Sequence, residues 1–271
     1  ADAQPSRNAQ WDTCRLATGV PLEEQLNACN ALLLSGKETA KNRAVLYCNR
    51  GVAYYNNNQN ERAVADFEQT FKLDGASANS FRCRGLMYEA KGQNDRAMLD
   101  YDRAIQLNPK YAEAYSDRGD IHRKKKNYDL AVAQYSAAIR VATKSNAVHS
   151  FHYRRGNAYA DKRDYDSAIS DYDRAIAISS SYALAFSARG RAHKNKKNYD
   201  KAVADYSNAI RLEPRNAAYH SDRADTYFNK SDYTQAIADY TTAIRLRPAY
   251  SYAYRWRGAA HARKPDNALA I

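Results

Sequence analysis

Residues 183–216 read ALAFSARGRAHKNKKNYDKAVADYSNAIRLEPRN, and residues 217–250 read AAYHSDRADTYFNKSDYTQAIADYTTAIRLRPAY. The two blocks are equal in length, and their landmarks coincide: Ala202 with Ala236, Tyr206 with Tyr240, Pro214 with Pro248. Self-similarity at a fixed period marks a repeat architecture, so the period is settled before any local reading. Gly190 extends it backwards. Gly51, Gly85 and Gly119 lie 34 residues apart, as do Gly156 and Gly190, each just after an arginine. With that glycine as position 8, the repeats are 44–77, 78–111, 112–145, 149–182, 183–216 and 217–250, with a partial seventh at 251–271. A three-residue insertion, Asn146 to Val148, separates the third from the fourth. Residues 1–43 form an N-terminal extension.

Within each repeat apolar and aromatic residues fall at positions 4, 8 and 11, then at 20, 24 and 27, which is helical spacing in two runs. Small residues at 8 and 20 let the two helices approach. The aromatic at 24 (Phe67, Tyr101, Tyr135, Tyr172, Tyr206, Tyr240) fills the space between repeats. Acids at position 18 (Glu61, Asp95, Asp129, Asp166, Asp200) sit where the second helix begins and suit its dipole. Pro109, Pro214 and Pro248 at position 32 stop it. Nineteen of the 23 tyrosines occupy positions 4, 11, 17, 24 or 34, so they are read as packing residues.

These repeats resemble tetratricopeptide repeats, whose signature is Trp-x2-Leu-Gly-x2-Tyr, then Ala-x3-Phe, Ala and Pro. The resemblance covers 44–271. There are two departures: position 7 is arginine in all seven repeats (Arg50, Arg84, Arg118, Arg155, Arg189, Arg223, Arg257), and Ala224 replaces the glycine of the sixth. The resemblance implies an all-α fold, a right-handed α-solenoid with first helices lining a concave face, used as a docking surface for peptides and proteins. The lining it implies comes from positions 2, 5, 6, 9, 12 and 13. Here these include Asn49, Arg82, Asp117 and Asp120, then Tyr153, Arg154 and Asn157. Arg191, Lys194, Asp222 and Asp225 follow, and Tyr252, Arg255 and Trp256 end the series. The lining is expected to be exposed, and its charges sum to +1 although the chain carries +12. It lacks the Lys-x3-Asn, Asn, Lys-x3-Arg clamp by which some relatives grip a C-terminal carboxylate.

The positive excess lies elsewhere. Lys91, Lys125, Lys126, Lys162, Arg163, Lys196, Lys197, Lys230 and Lys264 occupy positions 14 and 15, the turn between the two helices. Cations at a helix C-terminus complement its dipole. The rival reading is an electrostatic ridge for an acidic partner, anionic surface or nucleic acid. The position-7 arginines are expected to pair with position-23 acids Asp66, Asp100, Asp171, Asp205 and Asp239, leaving Arg118 without one because Gln134 stands there.

Nothing in the sequence assembles a catalytic set: no Ser-His-Asp order, Gly-rich phosphate loop or Cys-x2-Cys appears. His149 and His152 stand one helical turn apart, but two ligands do not make a metal site. The reading is a non-enzymatic scaffold with neither cofactor nor metal. No apolar run approaches the roughly 18 residues of a membrane span. The chain begins in the small-residue stretch that signal-peptide removal often leaves. Cys14 and Cys29 bracket a segment resembling the cysteine-bearing N-terminal stretches of exported bacterial tetratricopeptide proteins. That likeness implies a disulfide and a periplasmic or secreted protein, the alternative being a cytoplasmic one. Cys48 and Cys83, at positions 5 and 6 of adjacent first helices, are read as free thiols. The function expected is capture of a peptide or protein segment in the groove, with nucleic acid disfavoured. The alternatives are the basic edge as the site, or self-assembly through the open C-terminal repeat.

Overall fold

The computed structural model describes residues 5–15, 20–142 and 147–264. They form fifteen helices and no strand. Two helices belong to the extension, α1 (Arg7–Cys14) and α2 (Leu22–Leu34). Pairs follow: α3 (Ala40–Asn56) with α4 (Asn60–Leu73) and α5 (Ala78–Ala90) with α6 (Asn94–Leu107); α7 (Ala112–Lys124) closes the first unit and α8 (Tyr128–Val141) opens the second. Then come α9 (Val148–Asp161) with α10 (Tyr165–Ile178), α11 (Ala183–Asn195) with α12 (Tyr199–Leu212), α13 (Ala217–Asn229) with α14 (Tyr233–Leu246), and α15 (Ser251–Arg263). The expected loop at Asn146 to Val148 is seen in part: Val148 already opens α9, and Asn146 lies outside the described residues. The end of the partial seventh repeat, from residue 265, also lies outside them. The chain divides into two compact units, 1–125 and 126–271.

The core repeats as the sequence does. The position-24 rings, Phe67 and Tyr101 in the first unit and Tyr135, Tyr172, Tyr206 and Tyr240 in the second, are among the largest fully buried side chains. Glycine at position 8 is what admits them. A Cβ built on Gly85 would lie 2.4 Å from the Tyr101 ring, and one on Gly156 2.7 Å from the Tyr172 ring.

Between the two helices of a repeat the chain makes a tight turn that the sequence reading did not resolve. Position 15 is left-handed at Asn58, Gly92, Lys126, Arg163, Lys197 and Ser231, with φ between 59° and 73°. The amide of this residue and the one after it close a Schellman cap: Gly92 N–H donates to Glu89 O at 2.9 Å and Gln93 N–H to Tyr88 O at 2.8 Å. Where a lysine or arginine stands at this position, its Cβ strains the backbone.

The position-7 arginines do form the expected pairs, each as a bidentate fork. Arg50 binds Asp66 at 2.8 and 2.7 Å, and Arg84 binds Asp100 at 2.7 and 2.6 Å. In the second unit Arg155 holds Asp171, Arg189 holds Asp205 and Arg223 holds Asp239 in the same way. The remaining nitrogen often reaches position 25 of the repeat before: Arg155 to Ser136 and Arg223 to Ser207, both at 2.9 Å. Each such arginine therefore ties three helices. The expectation for Arg118 is corrected by the same rule. It pairs with Asp102, at position 25 of the preceding repeat, at 2.8 Å.

Extension and array are joined in the first unit. Glu38 accepts from Arg7 at 2.9 and 2.7 Å, from the Trp11 indole at 3.3 Å and from Asn42 at 2.8 Å. Cys14 and Cys29 are both buried with sulfurs at bonding distance and Cα atoms 4.9 Å apart. Cys48 and Cys83 correct the free-thiol reading. Stacking of α3 on α5 brings their Cα atoms to 5.9 Å, inside the disulfide window, with the sulfurs also at bonding distance.

Candidate functional site

The lining positions lie on first helices, whose opposite face is committed to the position-20 and position-24 core. In the first unit these residues mostly serve one another. Arg82 on α5 and Asp117 on α7 form an ion pair at 2.6 Å, both buried, which corrects the expectation of an exposed lining there. Burial opposes the charge of Arg82, and Asp117 more than offsets it, so the guanidinium is held charged. Glu89, absent from the expected site, is a hub: it accepts from Tyr55 at 3.0 Å and Tyr101 at 2.9 Å and pairs with Lys124. Its place at position 12 was the available signal. Asn49 and Asp120 are half-buried.

In the second unit the lining residues fall into three groups. On α9, Tyr153 packs edge-on against Tyr182 with centroids 5.2 Å apart, and His149 meets the same ring at 4.9 Å. His152 is bonded to Asp171 at 3.0 Å, so the two histidines face different neighbours. Among the described residues no cluster of His, Cys, Asp and Glu could hold a metal ion. Arg154 is half-buried, and Asn157 accepts from the Tyr172 hydroxyl at 2.8 Å.

The second group spans α11 and α13. Lys194 pairs with Asp225 at 3.5 Å, while Arg191 is exposed and makes no hydrogen bond or ion pair with the described residues. Asp222 also has neither, and burial pushes its carboxyl up against the pull of Lys194 and Arg191. The third group is on α15. Tyr252 donates to Asp225 at 3.0 Å, and Asp225 also accepts from Tyr240 at 2.7 Å. Trp256 is half-buried edge-on against Phe228 at 5.1 Å, so it is a packing residue as well as a surface one. Arg255 is exposed.

The turn lysines are less free than their sequence suggests. Position 14 of one repeat pairs with position 18 of the one before: Lys125 with Asp95 at 2.7 Å, Lys162 with Asp129, Lys196 with Asp166, and Lys230 with Asp200 at 2.5 Å. Lys91 reaches Glu68 at 3.2 Å. No helix among the described residues is long and apolar enough to cross a membrane.

Fold and lining together define an all-α array of stacked helix pairs of the α-solenoid class. Profiles described as TPR repeat match residues 85–125, 191–231 and 224–264, and profiles described as tetratricopeptide repeat match 44–77 and 116–183. The chain belongs to the tetratricopeptide-repeat family. No curated protein matches it by sequence. Among solved structures it is similar to YrrB, "a TPR protein with an unusual peptide-binding site", at 19% identity and TM-score 0.55, over 71% of this chain and 97% of that one. It is similar to PilF of Pseudomonas aeruginosa at 15% identity and TM-score 0.66, over 81% and 98%. A chain of the APC/C hetero-tetramer Cut9–Hcn1 gives 17% identity and TM-score 0.70 over 94% of this chain and 54% of that one.

Proposed function

We propose that this protein is a non-enzymatic docking protein that holds an extended peptide or protein segment along the first helices of residues 126–271. One observation carries the reading: on α11 and α15 the lining face presents Leu184, Arg191, Tyr252 and Arg255 exposed. Tryptophan, tyrosine and arginine dominate binding hot spots. A segment anchored at Tyr252, Arg255 and Trp256 would run past Asp225 and Asp222 towards Arg191 and Arg154. The peptide-binding site reported for YrrB is in keeping with such a use of the fold. The two cysteine pairs at bonding distance support an oxidising compartment, as in a periplasmic or secreted protein.

The basic edge is the weaker site, because its position-14 lysines are engaged by neighbouring aspartates. The test is capture of protein from an oxidising-compartment extract. Replacing Arg191, Tyr252 and Arg255 with alanine should weaken capture at least tenfold, about 1.4 kcal/mol. Trp256 is left in place because it is half-buried against Phe228. Neutralising Lys126 and Lys197 should leave capture unchanged. If capture instead follows the two lysines and falls steeply with salt, the groove reading is wrong and the edge is the site. Sedimentation at several concentrations tests the self-assembly alternative.

A further inference from the structure

The array neutralises its own cations by rule, and the rule runs out at α15. In the six full repeats the position-7 arginines are held by aspartates. The position-14 lysines are held by acids of the repeat before. In the seventh repeat Arg257 reaches only the Thr241 hydroxyl among the described residues, at 3.4 Å, and Lys264 follows a repeat whose position 18 is Thr234. Residues 240–264 hold six cations, Arg245, Arg247, Arg255, Arg257, Arg263 and Lys264, and no aspartate or glutamate. None of the six forms an ion pair with a described residue.

Two of these cations are seated on rings. Arg263 lies 4.9 Å from the Phe228 centroid, and Arg247 lies 5.2 Å from that of Tyr250. Between them the rings touch in series: Phe228 to Trp256 at 5.1 Å, Trp256 to Tyr252 at 6.1 Å, and Tyr252 to Tyr250 at 6.1 Å. The Tyr252 hydroxyl is spent on Asp225, whose charge Lys194 meets. Arg247, Arg255, Arg263 and Tyr252 are exposed. A guanidinium stacked on a ring keeps its N–H edge for a carboxylate, and stacking holds it in place beforehand. Tyr252, Arg255, Trp256 and Arg263 stand at positions 2, 5, 6 and 13, so this is the last stretch of the lining.

We propose that this end of the lining takes an acidic stretch of the bound segment. Arg263 and Arg247 receive its carboxylates, an aromatic residue between the two acids rests on Trp256 and Tyr252, and Arg255 adds to the field. This inference rests on the groove reading and names the chemistry of its anchored end. A basic stretch would be repelled, and a neutral one would gain from the rings alone. A long polyanion such as nucleic acid fits worse, because the lining beyond α15 carries Asp225 and Asp222. The segment selected is acidic where it is anchored and of mixed charge farther along.

The probes are acetylated, amidated heptapeptides: Ala-Glu-Ala-Phe-Ala-Glu-Ala, and the same with both Glu replaced by Gln or by Lys. They are titrated into the full chain at about 0.15 M salt, where long-range attraction is screened, and followed by NMR. The Glu peptide should bind at least tenfold tighter than the Gln peptide, and the Lys peptide more weakly than either. Of the two indole N–H signals, that of Trp256 should shift and that of Trp11 should not. Arg247→Gln with Arg263→Gln should weaken the Glu peptide about tenfold or more. Both arginines are exposed, so that variant should melt as the parent does. Lys126→Gln with Arg245→Gln removes as much charge away from the rings and should change the affinity less than about twofold. Equal binding of the Glu and Gln peptides, tightest binding of the Lys peptide, or equal losses in the two double variants overturns the proposal. So does a short oligothymidylate that shifts the Trp256 signal at lower concentration than the Glu peptide, since the surface would then read nucleic acid. Capture that survives Arg247→Gln with Arg263→Gln but is lost when Arg191, Tyr252 and Arg255 are replaced by alanine overturns the acidic anchor and leaves the groove reading standing. Capture that survives both sets of changes overturns the two together.

Discussion

Arg84→Met separates a structural role for the position-7 arginines from a ligand-binding one. Arg84 forks onto Asp100 at 2.7 and 2.6 Å, and its guanidinium lies 4.1 Å from the centroid of the Phe71 ring. Methionine keeps most of the apolar stem against that ring, so the change removes charge and hydrogen bonds more than packing. Asp100 is then left with only 8% of its side chain exposed and without its cation. Breaking a buried pair from one side costs about 3–5 kcal/mol. Because the Arg84 side chain is 27% exposed, water can reach the gap, and the expected loss is about 2–3 kcal/mol. Arg84→Met with Asp100→Leu removes both charges and should lie within about 1 kcal/mol of the parent protein. Arg118→Met is the internal control: its partner Asp102 is 43% exposed, so the loss should stay below about 1 kcal/mol. Urea denaturation followed by far-UV circular dichroism gives the comparison, fitted as a nearest-neighbour array because repeat proteins need not unfold in one step. The reasoning fails if Arg84→Met costs no more than Arg118→Met, or if the double variant is as unstable as the single one.

Three further outcomes are expected. Lys197→Gly should stabilise the array by about 0.5–1 kcal/mol, because Lys197 sits at φ 61° in a left-handed cap where a Cβ is strained; loss of stability in urea would show that the lysine contributes more than its backbone costs. With both cysteine pairs bonded, thiol titration of the unreduced, unfolded protein should find no free sulfhydryl, where the free-thiol reading of Cys48 and Cys83 would give two. Asp222 is a carboxyl that burial pushes up, so its favourable contribution is full below the ordinary value near 4 and is lost as pH rises through the raised one. Asp222→Asn should therefore melt higher than the parent at neutral pH and converge with it below about pH 4; a variant less stable at neutral pH would refute the sign.

The sequence carried the repeat period, the helix pairs, the position-24 core and the Arg–Asp forks, because each depends on residues a fixed number of places apart. What it did not carry depends on neighbours in the stack. Arg118 could not be matched to Asp102, nor Lys162 to Asp129, until one repeat was laid on the next. The left-handed turn escaped because lysine and arginine at position 15 advertise charge, and only Gly92 and Asn58 carry the residue types that signal such a backbone. Exposure was misjudged at three of the expected lining positions, where Arg82 and Asp117 are buried and Trp256 is half-buried. Position within a repeat fixes which way a side chain points, and the next repeat fixes whether it meets a partner.

That distinction bears on where a ligand would sit. A periodic array satisfies its buried polar groups by a rule, and a site is most visible where the rule is broken without repair. At Arg118 the rule breaks and Asp102 repairs it. At Tyr206 the acceptor position became Arg191, and no described residue replaced it: the buried hydroxyl has no hydrogen-bond partner among the described residues. An unsatisfied buried group costs stability, whereas an asparagine at position 9 would remove the cost, as Asn157 does for Tyr172. Arg191→Asn is thus the change that stability alone favours. It should raise the melting temperature in thermal unfolding, and a variant that melts lower than the parent protein would show that the Tyr206 hydroxyl already has an internal partner.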